Sequence, residues 1–517
     1  MRMYTLFLLV LCAVLPAQSD EVTLEQNPDW NGWEAIIVGN GLISTATVPA
    51  IGARVMQYDL GDHPSVFRDP ALNGKTYTPN PAMWYNFGGF KNWPSPQYGA
   101  GRWSWPPPPV LDYAAYTSEI VVNSADSVVI RVTSPIEQYK TPQLQFVREM
   151  TLYKETSRVK MRQILLNHDM DIQDWGIWDI TQSIVNHQGE SDFENYWTYF
   201  SINPESVFGS DGVNTQVNSP AWTGEVADGI YGTQFKPNAQ KLFADTDQGW
   251  ICHVDERDGV AFVKTFPVFP GKHYPDDEAR IAVYMGANYE EVEVMGPVEE
   301  ITANGGQIEF IINWWATRVK GPILSVNSTC AVNRFLQLSD NVLSGNYGVF
   351  YTGQVKAVCL DAAGLVIYQG QENPVTPLEN FDYNETIDIP VNTARIELHL
   401  YSEAGAMIGI VDGNDMGPLT AIHAQHTIQI DDCCLYQNYP NPFNADMTIP
   451  FTIQTGSHAE LVIFNMAGEK QQCVIDDYLQ PGSYAVRVDA DEWPSGLYYY
   501  ELRTARQTLR KKCLLIK

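Results

Sequence analysis

Apolar and polar positions alternate with a period of two along most of this chain. Ser127 to Thr133, Leu144 to Tyr153, Arg158 to Leu166, Gly259 to Phe266 and Gln307 to Trp314 either alternate or carry the Val, Ile, Tyr and Phe enrichment of a strand, with Gly, Pro, Asn and Asp between the runs. No stretch sustains a helical repeat beyond a few turns, so the pattern predicts an all-β protein. After Lys320-Gly321-Pro322 the strands become shorter and more regular, as in Lys356 to Leu360, Leu365 to Tyr368 and Arg395 to Leu400, and no tryptophan recurs until Trp493. This shift predicts a domain boundary near residue 320 and a second sandwich up to Asp432, of about the 100-residue size of immunoglobulin-like folds. Within it, Asp412-Gly413-Asn414-Asp415 reads as a turn, because no glutamate follows at the place an EF-hand calcium loop requires. This module is expected to be a spacer or an accessory binding surface.

The 517 residues, 44% of them hydrophobic, give room for about three domains with real cores. A net charge of −29 argues against a nucleic-acid partner, since phosphate binding needs clustered Lys and Arg to displace counterions. Arg2, the apolar run Leu6 to Leu11 and the small-residue site Ala17-Gln18-Ser19 predict a signal peptide over residues 1–19 and a mature start near Asp20. The bulky Leu11 before Cys12 does not suit a lipoprotein signal. No later stretch reaches the roughly 18 apolar residues of a transmembrane span. Seven scattered cysteines remain after cleavage, without CxxC spacing, so neither a disulfide framework nor a zinc site is expected, and no metal or cofactor is implied.

Candidate chemistry concentrates between Met83 and Pro106. Trp84, Lys91, Trp93, Arg102, Trp103 and Trp105 stand there among Gly88-Gly89, Pro94, Pro96 and Pro106. So many prolines and glycines predict a loop across a sheet rather than a central strand. Aromatic rings beside amide and charged groups suit sugars, whose C–H faces stack while their hydroxyls take hydrogen bonds. The alternative is that these rings merely cover a sheet edge. Further on, Glu291 and Glu293 lie two apart, so on a strand they share one face, either as a reactive pair or as a solvated acidic face.

Two resemblances sharpen these expectations. Asn438-Tyr439-Pro440-Asn441-Pro442-Phe443-Asn444, Ala459-Glu460-Leu461-Val462-Ile463-Phe464-Asn465, Met466-Ala467-Gly468-Glu469, Gly482-Ser483-Tyr484, Ser495-Gly496-Leu497-Tyr498-Tyr499-Tyr500 and the basic end Arg510-Lys511-Lys512 occur in that order. Together they resemble the C-terminal sorting domain of the type IX secretion system, or the similar immunoglobulin-like domain of flagellar hook-capping proteins. This implies a small terminal sandwich read by secretion machinery. Asn40-Gly41-Leu42-Ile43-Ser44-Thr45-Ala46-Thr47-Val48-Pro49 with Ile51-Gly52-Ala53-Arg54-Val55, then Gly88-Gly89-Phe90-Lys91-Asn92-Trp93-Pro94, then Tyr289 to Pro297 and Trp314-Trp315, resemble the galactose-mutarotase-like family, in an uncharacterised branch. That resemblance implies a β-supersandwich over about 20–320, with Glu291 or Glu293 as the carboxylate that takes a proton from an anomeric hydroxyl. A mutarotase pairs this carboxylate with a histidine acid, but Asp174-Trp175-Gly176-Ile177-Trp178-Asp179 stands where that histidine is expected, and His168 falls on the preceding turn.

The expectation is thus a signal peptide (1–19), a mutarotase-like supersandwich (20–320), an immunoglobulin-like sandwich or spacer (321–432) and a sorting domain (433–517). The chain is expected to be secreted or displayed on the outer surface by way of the periplasm, and to bind a glycan. Trp175 and Trp178 join the aromatic segment as stacking residues, and Lys91 and Arg102 serve as hydroxyl or carboxylate partners. The alternatives are a glycan-active enzyme (an epimerase, hydrolase or lyase accessory) using Glu291 or Glu293, and a structural or adhesive surface protein.

Overall fold

The alternating segments condense into antiparallel sheets. A computed structural model describes residues 21–99, 101–186, 193–215, 222–415 and, with short gaps, 433–515; the expected signal peptide and the turn at Met466 to Gly468 lie outside the described residues. The chain divides into two compact units, Met1–His423 and Ala424–Lys517.

In the first unit a twelve-stranded sheet and a ten-stranded sheet share one large apolar core. Strand Leu144–Tyr153 shows why: Leu144, Phe146, Met150 and Leu152 point inward while their neighbours stay half-exposed. Each such aliphatic or aromatic side chain contributes roughly 1.5–3 kcal/mol by leaving water. Ser127–Thr133 and Leu144–Tyr153 form over the expected residues, and Val159–Asn167, Val260–Thr265 and Gly306–Arg318 differ from expectation only at their ends.

One expectation is overturned in a way that matters for the site. Phe90–Ser95, read as part of a loop, is an interior strand of the twelve-stranded sheet, paired with Gln173–Ile184 on one side and through Phe90 with Val55 of Arg54–Leu60 on the other. Proline is tolerated because the Pro94 carbonyl faces away from the 173–184 strand and accepts the Trp103 Nε1–H at 2.9 Å. The missing N–H lies on that same side, so no ladder bond is lost. Gly88 and Gly89 admit the strand to this crowded position at φ of 90° and 74°. A Cβ on Gly88 would lie 2.3 Å from the Phe67 carbonyl oxygen.

A four-stranded sheet (Ser325–Val326, Cys330–Ser339, Val342–Val349, Phe381–Thr386) and a five-stranded sheet built around Gly353–Leu360 and Arg395–Tyr401 enclose a separate core within the same unit. Asp412 to Asp415, expected as a turn, belong to strand Met407–Asp415, where Asp412 accepts the Leu336 N–H and the Tyr347 hydroxyl. This module is fastened to the large sandwich. Thr156 bridges Tyr351, the Thr156 and Thr317 hydroxyls donate to the Phe350 and Val349 carbonyls, and Trp315 stacks on Phe350 at 4.7 Å. A fragment ending at Lys320 would leave Trp315 without that partner. Binding measurements therefore call for the whole chain.

The second unit is an eight-stranded β-structure with its own core, including Phe443, Ile449, Leu461, Tyr500 and Leu515.

Candidate functional site

Five consecutive strands of the twelve-stranded sheet, Phe90–Ser95, Gln173–Ile184, Tyr289–Met295, Ile281–Met285 and Gln240–Ala244, set the site's geometry. Their register places Trp93 opposite Trp178, Ile180 opposite both Lys91 and Glu293, Gln182 opposite Glu291, and Tyr284 opposite both Glu291 and Lys241. Cross-strand partners share a face, so Lys91, Trp93, Trp178, Gln182, Glu291, Glu293, Tyr284 and Lys241 all project from one side of the sheet. The opposite side looks into the sandwich, where Asn92 bonds Gln163 and Asp179 bonds Lys264.

The charges on the outward side interlock. Lys91 Nζ lies 2.9 Å from Glu291 Oε1, which also accepts from Gln182 Nε2 at 2.9 Å. Lys241 Nζ lies 2.7 Å from Glu293 Oε2, which takes the Trp178 indole N–H at 2.9 Å. Both ammonium groups also sit near indole faces, Lys91 5.0 Å from Trp93 and Lys241 4.3 Å from Trp178. Glu293 is sealed from water and Glu291 nearly so, which removes the reading of a solvated acidic face. Glu293 Oε1 has no hydrogen-bond partner among the described residues.

Burial, reinforced by the neighbouring Glu291 charge, pushes Glu293 up to about 7 against the pull of Lys241 and Trp178. Burial acts on Glu291 in the same sense, but the Lys91 charge and hydrogen bond, with Lys241 and Gln182, outweigh it and hold this carboxyl below its ordinary range. Burial lowers Lys91, with Glu291 opposing. Two carboxyls two residues apart are thus driven in opposite directions, one toward a carboxylate and the other toward an acid that exchanges its proton near neutral pH.

This has a stability consequence. A carboxyl raised in the fold contributes stability that is fully present below its unfolded value and is lost as pH rises through about 7. Glu293→Gln is therefore expected to lessen the fall in melting temperature between about pH 4.5 and 7, a window that the lowered Glu291 does not share and in which other raised carboxyls such as Asp179 keep part of the slope. Thermal melts of both proteins across that range test this; parallel curves would show that Glu293 titrates normally.

The structure distributes the expected binding residues unevenly. Trp93 and Trp103 are buried and pack edge to face at 5.7 Å, and the Trp93 indole N–H is spent on Asp112 Oδ1, itself held by Arg54 at 2.7 Å. Trp178 is equally enclosed. Trp175, an odd number of residues from Trp178, projects from the other side of its strand and is fully buried under the Arg102 guanidinium at 4.3 Å. Arg102 also donates to the Asp174 carbonyl, which leaves it apart from the carboxylates. Lys91, at 1% exposure, is committed to Glu291. Open ring surface belongs to Trp105, 49% exposed, and to the half-buried Trp84 packed on it at 4.9 Å. Trp105 reaches the charges through Trp93 at 6.1 Å and then Trp178 at 5.4 Å.

Sequence reading missed Lys241, Gln182, Tyr284 and Asp276. Asp276 and Asp277 take left-handed backbone angles, φ 50° and 62°, in a turn at Pro275–Glu278. Burial raises the Asp276 carboxyl, and the nearby Lys241 charge opposes this. Residues other than glycine held in this region carry strain, and such strain clusters at functional sites. Of two small cavities in this unit, one bounded in part by His63 and His253 and the other by Thr47 and Arg148, neither includes the two carboxylates.

Comparison with known proteins supplies the context. Residues 437–517 match the secretion system C-terminal sorting domain family. No curated protein matches the chain. Among solved structures, the Slr1438 protein from Synechocystis sp. PCC 6803 is 11% identical, covers 57% of this chain and 99% of its own, and superposes with a TM-score of 0.39. A galactose mutarotase-like protein from Clostridium acetobutylicum gives 10% identity, 58% and 100% coverage and a TM-score of 0.39. A putative aldose 1-epimerase from Klebsiella pneumoniae gives 9%, 57% and 83%, and 0.40. The sorting domain marks the chain for secretion to the cell surface or beyond. None of the described helices is long and apolar enough to cross a membrane.

Proposed function

We propose that this exported chain binds carbohydrate on the outward side of the twelve-stranded sheet, with Trp105 and Trp84 as the stacking platform and Glu291, Tyr284 and Lys241 as the polar wall, Lys241 being held in place by the enclosed Glu293. The observation that carries this reading is the Lys91–Glu291 and Lys241–Glu293 array, joined through Trp178 and Trp93 to the exposed Trp105 ring. Sugars present alternating apolar C–H and hydroxyl surfaces, and a ring edge beside fixed acceptors and donors answers both. The test is a glycan-array screen of the full-length mature protein, followed by isothermal titration of any hit. Trp105→Ala is expected to weaken binding about tenfold, on the order of 1–1.5 kcal/mol of stacking, with an unchanged melting temperature. An unchanged isotherm would place the ligand elsewhere, and no hit at all would favour a structural or adhesive role.

A second reading, a glycan-active enzyme, is favoured specifically by the divergence of the two carboxyls. Glu293 then exchanges a proton near neutral pH through its ion-pair partner Lys241, whose side chain reaches solvent, while ionised Glu291 stabilises developing positive charge. Proton NMR of a bound sugar distinguishes the two readings: accelerated anomer exchange or bond cleavage that vanishes in Glu293→Gln, with binding retained, identifies an enzyme.

A further inference from the structure

At some distance in the chain from these carboxylates, a second polar cluster joins the two sheets of the large sandwich. We propose that His63, Asp255 and Asp258 bind a zinc ion that staples strand His63–Pro64 of the twelve-stranded sheet to the Trp250–Asp255 and Val260–Thr265 hairpin of the ten-stranded sheet. His63 Nε2 stands 3.1 Å from Asp255 Oδ2 and 3.4 Å from Asp258 Oδ2. One ligand atom from each of the three residues lies within 4.8 Å of the other two. Bonds of about 2.0–2.1 Å in a tetrahedron set ligand atoms about 3.3 Å apart, and His63 Nε2 stands near that spacing from both carboxylate oxygens. One imidazole nitrogen with two carboxylate oxygens is a donor set that suits zinc better than calcium, which prefers oxygen alone.

Proton bonding alone accounts poorly for this arrangement. A single Nε2–H is directed at Asp255 Oδ2, and the Asp258 Oδ2 that stands 3.4 Å away on the same nitrogen converges there without that bond's geometry requiring it. Asp255 is further fixed for a ligand's role, because its other oxygen accepts the backbone N–H of Arg257 at 3.0 Å and of Asp258 at 3.3 Å, which aims Oδ2 at His63. An independent observation points to a further occupant. A small cavity beside His63 and Asp255 is also bounded by Ser65, Tyr196 and His253. The hydroxyl of Ser65, a residue 4% exposed, has no hydrogen-bond partner among the described residues. That cavity offers the fourth zinc position to a water which the serine can hold. Asp258, with its side chain 29% exposed, leaves a route in from solvent.

The test uses tag-free, full-length mature protein, stripped with EDTA, reloaded with zinc chloride, dialysed and measured by elemental analysis beside thermal melts. The expected result is about one zinc retained per chain and a melting temperature several degrees above that of the stripped protein. His63→Ala should lose both, but a change at so buried a position risks the fold itself. Asp258→Asn keeps the shape and most hydrogen bonding at a partly exposed position, and should melt with the stripped wild type while retaining at least tenfold less zinc. Zinc held equally by Asp258→Asn, or neither retention nor a thermal shift in the wild type, would overturn the assignment and leave His63 as an imidazole link between two carboxylates.

Discussion

Deleting residues 437–517 is expected to stop the protein from reaching the cell surface, leaving it inside the outer membrane with its first unit folded. The sorting domain match covers that segment. The core it would remove draws only on residues from Cys433 to Leu515, whereas the buried cores of the large sandwich and of the 325–415 sheets draw on none of them. The deletion should therefore abolish an address without disturbing the remaining fold. Protease treatment of intact cells, with fractionation and a melt of the purified truncated protein, reads both parts. Continued surface display would show that the address lies elsewhere, and a lowered melting temperature would show that the tail also supports the first unit.

The largest effect on stability is expected from Lys264→Met. Lys264 is fully enclosed between the sheets, with Nζ 2.5 Å from Asp179 Oδ1 and 2.7 Å from the Val292 carbonyl, and Gln163 Nε2 donates to the other Asp179 oxygen at 3.0 Å. Burial pushes the Asp179 carboxyl up, and the Lys264 charge is the main opposing influence. Methionine fills the space but strands a carboxyl in a low-dielectric interior, a change that costs about 3–5 kcal/mol when one partner of a buried pair is removed. Urea unfolding should show this loss, and adding Asp179→Asn to Lys264→Met should restore a substantial part, because the stranded charge is then gone. A single-variant cost under about 1 kcal/mol would mean that water reaches the pair.

Strands whose alternation is strict, such as Leu144–Tyr153, were legible because one face meets the core and the other meets water. Phe90–Ser95 was not, because the composition of its neighbourhood argues against a strand and only the direction of the Pro94 carbonyl removes the objection. Asp412 to Asp415 failed likewise: turn-forming residues were recruited into a strand by partners on Leu336 and Tyr347. At the site, Glu291 and Glu293 announced a shared face through their spacing, but nothing in the sequence tells a tryptophan that stacks on a ligand from one that fills a core. Trp93, Trp103, Trp175 and Trp178 are enclosed, and Trp105 is open. Lys241 is a single lysine in a five-residue strand, and its role exists only because the sheet order, with one strand intervening, brings it to Glu293. His63 and Asp255 are separated by 192 residues, so no local spacing could have linked them.

This uneven exposure of the indoles makes the chain its own optical probe. Trp103, Trp175, Trp250 and Trp314 are among its most completely enclosed side chains, so their emission should be blue-shifted and inaccessible to an aqueous quencher, whereas Trp105 should emit at longer wavelength and be quenched readily. A ligand seated on that ring would shield it, so the part of the quenchable red component that is lost on ligand addition and missing in Trp105→Ala would report occupancy of this position without any label.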